Sequence, residues 1–311
     1  MKILLTGGAG FIGSHVAEAY VAAGHEVVVV DDLSTGKIEN LPARLPVHKV
    51  DIRSARLAEI FERERPDVVN HHAAQVSVNV SVREPRRDAE VNVLGSLNVI
   101  DCCLRYGVKK LIYISSGGAA VGEPRYLPVD ERHPVDPLSP YGVTKHVVEH
   151  YLYLYRQMSG LDYTILRYPN VYGPRQDPLG EAGVVAIFTG QMLRGQPCRI
   201  NGSGEQERDF VHVADLARVN VLALAAPGGE MYNTGSGVGT SVNEIFRLLA
   251  RATGYEREPV HGPPLPGEVF RIYLDSTKAA RELGWRAEIG LADGLRDTVD
   301  WFRSVAARQK P

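Results

Sequence analysis

Tyr141 and Lys145 stand one helical turn apart in SPYGVTKHVVEH, Ser139 to His150. Pro140 suits a first turn, where its missing N–H has no partner, and Ser139 can cap the free amides. At roughly 100° per residue, Tyr141, Lys145, Val148, Leu152 and Tyr155 fall on a strip about 80° wide. A lysine kept for solubility belongs on a polar face; this one shares the head of an apolar stripe with a phenol. A phenol with a pKa of ~10 is a poor base at neutral pH, and adjacent positive charge favours its phenolate. The pair therefore reads as a general base with its electrostatic support, able to take a proton from a hydroxyl. Such spacing also arises by chance, so the elements that would position the pair decide its weight.

Upstream, apolar runs alternate with helical patterns. Strands are expected at 2–7, 26–31, 46–50, 67–71, 110–116 and 162–168, with helices near 12–23, 54–64, 86–106 and 139–159. Near-continuous Val/Ile/Leu strands separated by helices describe a parallel sheet covered on both faces. The expected class is α/β: a Rossmann-type doubly wound sheet over residues 1–169, with a smaller mixed α/β lobe over 170–311. Segments near 209–225 can return to the first lobe. The second lobe should carry a long loop (YGPRQDPLGEAG), a helix near 184–194 and a terminal amphipathic helix, LADGLRDTVDWFRSVAARQ.

The loop TGGAGFIG, Thr6 to Gly13, follows the first strand and opens a helix. Gly7, Gly10 and Gly13 permit a tight turn and close approach of backbone to a pyrophosphate, which the helix N-terminus attracts. The second strand ends in Asp31, where a carboxylate can accept from both ribose hydroxyls and repels a 2′-phosphate. The implied cofactor is NAD rather than NADP.

Bulk composition narrows the class. The 311 residues are 44% hydrophobic and 23% charged, with a formal charge of −2. That balance, without a basic run, argues against a nucleic-acid binder or an electrostatic membrane anchor. The apolar run in MKILLTGGAG is too brief for a signal peptide or a span. Cys102, Cys103 and Cys198 lack metal-type spacing and read as reduced packing residues, which suits the cytoplasm. No metal is expected.

The glycine spacing and YGVTK together resemble the extended short-chain dehydrogenase/reductase superfamily. VDIRS (50–54), HHAAQVSV (71–78), VNVLGSLNVI (91–100), RYPNVYGPRQDP (167–178), ERDFVHVADLA (207–217) and LDSTKAARELGW (274–285) are similar to the NAD-dependent sugar-nucleotide epimerases over nearly the full length. The resemblance implies a 4-epimerase of UDP-hexoses, interconverting UDP-glucose and UDP-galactose through a 4-keto sugar, in a homodimer. It implies that Tyr141, Lys145 and a hydroxyl donor are catalytic. It assigns to the dinucleotide Gly7, Gly10, Phe11, Ile12 and Gly13; Asp31, Asp32, Ser34, Thr35 and Gly36; Asp51 and Ile52 at the adenine; and His72, Ala73, Ala74, Gln75, Asn92, Ser115 and Tyr168. For the substrate it implies Ser116, Asn170 and Arg208, a guanidinium being well shaped for phosphate.

The chain departs from the family in places. The usual active-site Ser/Thr falls at Gly117, leaving Ser116 as candidate donor and Ser115 behind it; Val121 replaces a common tyrosine. Leu265 stands where an arginine grips the diphosphate, with Arg271 as a candidate substitute, and Ile272 lies near the position that gates N-acetyl sugars. An epimerase of another nucleotide sugar, an N-acetylhexosamine or a uronic acid, stays open. Dehydration is disfavoured because Gly117, Gly118 and Ala119 supply no acid/base pair. From a different class, a non-catalytic NAD-binding sensor would be expected to lose the Tyr/Lys pair kept here. The outer face of the 139–159 helix, Val143, Val147, Tyr151 and Leu154, is apolar and offers a surface to a second subunit.

Overall fold

The computed structural model describes residues 1–178, 183–264 and 269–308. Its first half runs β1 (Lys2–Thr6), α1 (Phe11–Ala22), β2 (Glu26–Asp31), β3 (Val47–Lys49), α2 (Arg56–Glu64) and β4 (Val68–His71). Then come α3 (Val78–Arg83), α4 (Pro85–Ala89), α5 (Gly95–Tyr106), β5 (Lys110–Ser116), α6 (Gly117–Val121), α7 (Pro140–Ser159) and β6 (Tyr163–Tyr168). The single helix expected at 86–106 is α4 and α5 joined by a π-helical turn, Glu90–Leu94. Helix α3 falls in a stretch for which no helix was expected.

The second half contains β7 (Asn170–Tyr172), α8 (Val184–Leu193), β8 (Arg199–Asn201), β9 (Glu207–His212), α9 (Val213–Ala223) and β10 (Glu230–Asn233). It ends with β11 (Gly239–Ser241), α10 (Val242–Thr253), β12 (Val260–Gly262), β13 (Arg271–Ile272), α11 (Thr277–Leu283) and α12 (Leu291–Arg308).

Seven strands form one parallel sheet in the order β10-β6-β5-β4-β1-β2-β3. From β3 to β6 this is the doubly wound order, whose strand direction of travel reverses between β1 and β4, and ligands bind outside the carboxyl ends there. Every residue of β4 and β6 is buried, which explains runs without polar alternation. One face of the sheet packs Ile3, Leu5, Val16 and Tyr20 with Leu216, Val219 and Trp285; the other packs Leu4, Val69, Val99, Tyr113, Val148 and Leu152. The return to the first lobe exceeds 209–225, since β10 is an edge strand of the sheet and Trp285 joins its core. Propensity within 230–233 carries no sign of which sheet the segment will join.

The smaller lobe has its own core of Tyr172, Phe188, Phe246, Leu249 and Val299. Its ribbon β11-β9-β13, with β7 also on β9, lies against α6, where Ile272 and Leu274 pack with Val121. Among the described residues no helix is long and apolar enough to cross a membrane, and no group of three or more metal-ligating side chains assembles. Cys102, Cys103 and Cys198 are free and buried.

Candidate active site

After β1 the chain turns at Gly7 (φ +69°) and enters α1. A Cβ on Gly13 would collide with the Gly7 carbonyl oxygen, so glycine lets the helix start this close to the loop. Gly10 is different. Its backbone is ordinary (φ −71°, ψ 175°), and among the described residues only Gly7 O, at 3.3 Å, lies within 4 Å of an added Cβ. Conformation does not ask for glycine there and packing asks only a small give of one carbonyl, so the backbone is left open to a ligand. Phe11 and Ile12 are half-buried in the first turn of α1.

The buried Asp31 carboxylate accepts from Ala9 N (3.0 Å) and Leu33 N (2.9 Å), one bond to each oxygen. Burial pushes its pKa up and those two bonds oppose the rise. Each oxygen keeps a lone pair for a ribose hydroxyl. Asp32 closes the following turn by accepting from Ser34 N and Oγ (2.8 and 2.6 Å), beside exposed Thr35. Gly36 abuts Asp31: an added Cβ would stand 2.9 Å from its Oδ1. Asp51 is held by the Arg53 guanidinium (2.6 Å), while Ile52 is buried, its Cδ1 2.7 Å from where a Cβ on Gly95 would be.

Beyond β4, His72 packs edge-on against Tyr168 (6.1 Å, 72°), and neither ring nitrogen has a partner among the described residues. Burial, then the Lys145 charge, pull the His72 pKa down to about 3, so it is neutral. Ala73 N donates to Thr6 Oγ1 (3.2 Å), and Ala74 lies half-buried beside it. Asn92 clamps Gln75 at two points, accepting from its N (2.8 Å) and donating to its O (3.0 Å). The π-helical turn presents Asn92 for this, a common use of such irregularity at sites. Buried Tyr168 accepts from Asn220 Nδ2 (2.5 Å). An open cradle at Gly10, a ribose acceptor at Asp31 and the orphaned imidazole of His72 fit a dinucleotide.

Tyr141 sits in the first turn of α7, where Ser139 Oγ accepts from Gly142 N (3.1 Å). A Cβ on Gly142 would collide with Ala119 O, so glycine allows α6 to lie directly against this turn. That contact sets Ser116 beside Tyr141, where its hydroxyl favours the phenolate, while its Oγ caps α6 by accepting from Ala119 N (3.2 Å). Ser115 is turned to the other side of the strand, toward Glu149, as strand alternation demands. At Gly117 a Cβ would collide with Leu274 Cδ1, so the Leu274 side chain occupies the space that any side chain at 117 would need. Val121 is buried with Val129, Ile272 and Leu274.

Lys145 is buried, its Nζ 4.6 Å from the Tyr113 ring centroid. Burial pulls its pKa down to about 8, with Glu149 and Asp88 opposing. Desolvation likewise pushes the half-buried Tyr141 up to about 12, helped by the Asp88 charge and opposed by the nearby Ser116 hydroxyl. The expected lowering, by the lysine and a nicotinamide ring together, belongs to the cofactor-bound protein; without that ring the phenol stays high. In the protein alone desolvation dominates, because the same low-dielectric surroundings penalise phenolate and ammonium together.

Asn170 is exposed at the start of β7. Arg208 lies opposite Ile272 in the β9–β13 pairing, and Arg271 lies opposite Glu207. Neighbouring residues of a strand face opposite ways, so the two arginines do not converge. Arg271 Nε bonds Glu207 Oε2 (2.8 Å), whereas Arg208 shares the face of Ile272, which lies 3.8 Å from where a Cβ on Gly118 would be. Leu265 lies outside the described residues. The sequence reading missed Asp88, Thr144 and Glu149. Glu149, one turn beyond Lys145, carries the only readable signal, a carboxylate at i+4 from a buried lysine.

Residues 3–235 match the model of the NAD dependent epimerase/dehydratase family. A protein of Methanocaldococcus jannaschii called a putative UDP-glucose 4-epimerase is 46% identical, covering 97% of this chain and 98% of its own. The Thermotoga maritima UDP-glucose 4-epimerase, solved with UDP-glucose, is 49% identical with a TM-score of 0.97, over 98% of this chain and 100% of that one. The Thermus thermophilus UDP-glucose 4-epimerase, solved with NAD, is 46% identical with a TM-score of 0.93, over 97% and 99%. The chain belongs to the NAD dependent epimerase/dehydratase family, and NAD is its cofactor.

Proposed function

We propose that the chain is a UDP-hexose 4-epimerase acting on UDP-glucose and UDP-galactose. What supports this is Tyr141 and Lys145 one turn apart at the head of α7, with Ser116 at the carboxyl end of β5 beside them, in a chain alike end to end to an enzyme holding UDP-glucose. NAD would rest on Gly7, Gly10 and Gly13 with its ribose at Asp31, and would supply acceptance and return of hydride at sugar C4. Tyr141 takes the proton from the 4-hydroxyl and returns it after the 4-keto sugar has turned over. Ser116 donates to the reacting oxygen, and Arg208 grips the diphosphate. Lys145 holds positive charge beside the phenol.

The test is incubation of the purified protein with UDP-galactose, followed by NMR of the sugar. Inversion at C4 supports the reading. A stable 4-keto-6-deoxy sugar would mean a dehydratase; no product from UDP-hexoses, N-acetylhexosamines and uronic acids alike would favour a sensor.

The reading includes a cytoplasmic homodimer. Exposed Val143 (44%), Leu154 (46%) and Leu94 (58%), on α7 and at the α5 entrance, support the dimer, and three reduced buried thiols suit that compartment.

A further inference from the structure

Asp88 is fully buried at the end of α4, yet among the described residues its carboxylate is hydrogen-bonded by three neutral donors and forms no salt bridge. Gln75 Nε2 (2.6 Å) and Asn92 Nδ2 (3.1 Å) donate to Oδ1, and Thr144 Oγ1 (2.7 Å) donates to Oδ2. These donors come from the loop after β4, the π-helical turn and the catalytic helix. One side chain thus ties the dinucleotide-facing loop to the residue preceding Lys145. An unpaired buried charge is expensive, and fold alone would be served as well by an amide.

We propose that Asp88 is a positioning residue for the reaction, whose negative charge, held by Gln75, Asn92 and Thr144, sets the pH window in which Tyr141 and Lys145 work. The inference rests on the acid–base reading of that pair. The charged and titratable groups around the pair are Glu149 from α7, with Arg167 behind it, His71 and His72 after β4, and Tyr113 from β5. Both imidazoles are neutral and Glu149 is bound by Arg167 at two points (2.8 and 2.5 Å) and by His146, so among the described residues Asp88 is the anion held by no salt bridge, acting on Lys145 through space. Its charge makes phenolate harder to form and the ammonium easier to keep, so it raises both limbs of the profile.

Asp88→Asn separates charge from shape. The amide oxygen can still accept from Gln75 and Asn92. Its nitrogen can donate to Thr144 Oγ1, whose own proton turns to Tyr141 O, already 3.1 Å away. The second variant, Thr144→Val, keeps the charge and removes its hydroxyl donor. In the NAD-loaded protein, the interconversion rate and the ultraviolet absorbance of tyrosinate are followed against pH. Asp88→Asn should move both limbs to lower pH by roughly half a unit to one unit, and Thr144→Val should move them upward. A structural tie alone predicts lower rates with unmoved limbs; that result, or shifts of one sign in both variants, overturns the proposal. If Asp88→Asn fails to fold or retain NAD, the direction in Thr144→Val decides. Retained activity in Tyr141→Phe would defeat the underlying acid–base reading instead, independently of Asp88.

Discussion

Gly10→Ala separates a glycine required by the fold from one required by a ligand. The alanine backbone adopts φ −71°, ψ 175° without strain, and the methyl would meet only Gly7 O at 3.3 Å among the described residues. The cofactor-free protein should lose only about 1 kcal/mol, from the tight Gly7 contact and the poorer N-cap that alanine makes for α1. The methyl stands where the pyrophosphate must approach, and overpacking there costs about 1–3 kcal/mol, roughly a five- to 150-fold loss of NAD affinity. Gly13→Ala is the contrast: its methyl collides with backbone, so stability and NAD retention should fall together. NAD content after denaturation, titration of stripped protein and melting with and without NAD would measure both. Unchanged NAD affinity in a folded Gly10→Ala protein would refute the placement of the pyrophosphate. A Gly10→Ala melting point lowered as far as that of Gly13→Ala would refute the open-cradle argument.

Four further outcomes are expected. Tyr141→Phe should lower interconversion by about 10²–10⁴-fold with bound NAD retained, as removal of a general acid–base group does; NMR of UDP-galactose measures it. Ser116→Ala should lose a helix cap worth about 1 kcal/mol and also slow the reaction, which separate melting and rate measurements would resolve. Glu149 is held down to about 2: burial opposes ionisation, but bonds from Arg167 and His146 win. A depressed carboxylate stabilises above its unfolded pKa and loses that contribution as pH falls through the folded one. Stability should therefore drop between about pH 4.5 and 2, and Glu149→Gln should cost about 3–5 kcal/mol near neutrality in denaturant titration. Finally, Leu154→Glu should shift the solution mass from dimer to monomer in light scattering, since it places a charge in the apolar outer face of α7.

Local sequence decided a good deal. Period and β-branched runs specify five of the six strands up to Tyr168, because a strand buried on both faces cannot contain polar alternation; β3, half-exposed at the sheet edge, is the exception. The glycine loop and Asp31 are legible since their roles belong to one turn of backbone and one strand end. Tyr141 and Lys145 share a face by helical period alone. What lay beyond sequence is whatever depends on contacts between distant segments. That β10 joins the sheet, that Leu274 occupies the space a side chain at 117 would need, and that Ser116 rather than Ser115 lies beside the phenol all follow from packing. Arg271 turning away from Arg208 needed a strand register, and the two-way penalty on Tyr141 and Lys145 needed burial. Asp88 was invisible for the same reason: three donors from three elements surround it, and no spacing along the chain encodes their meeting.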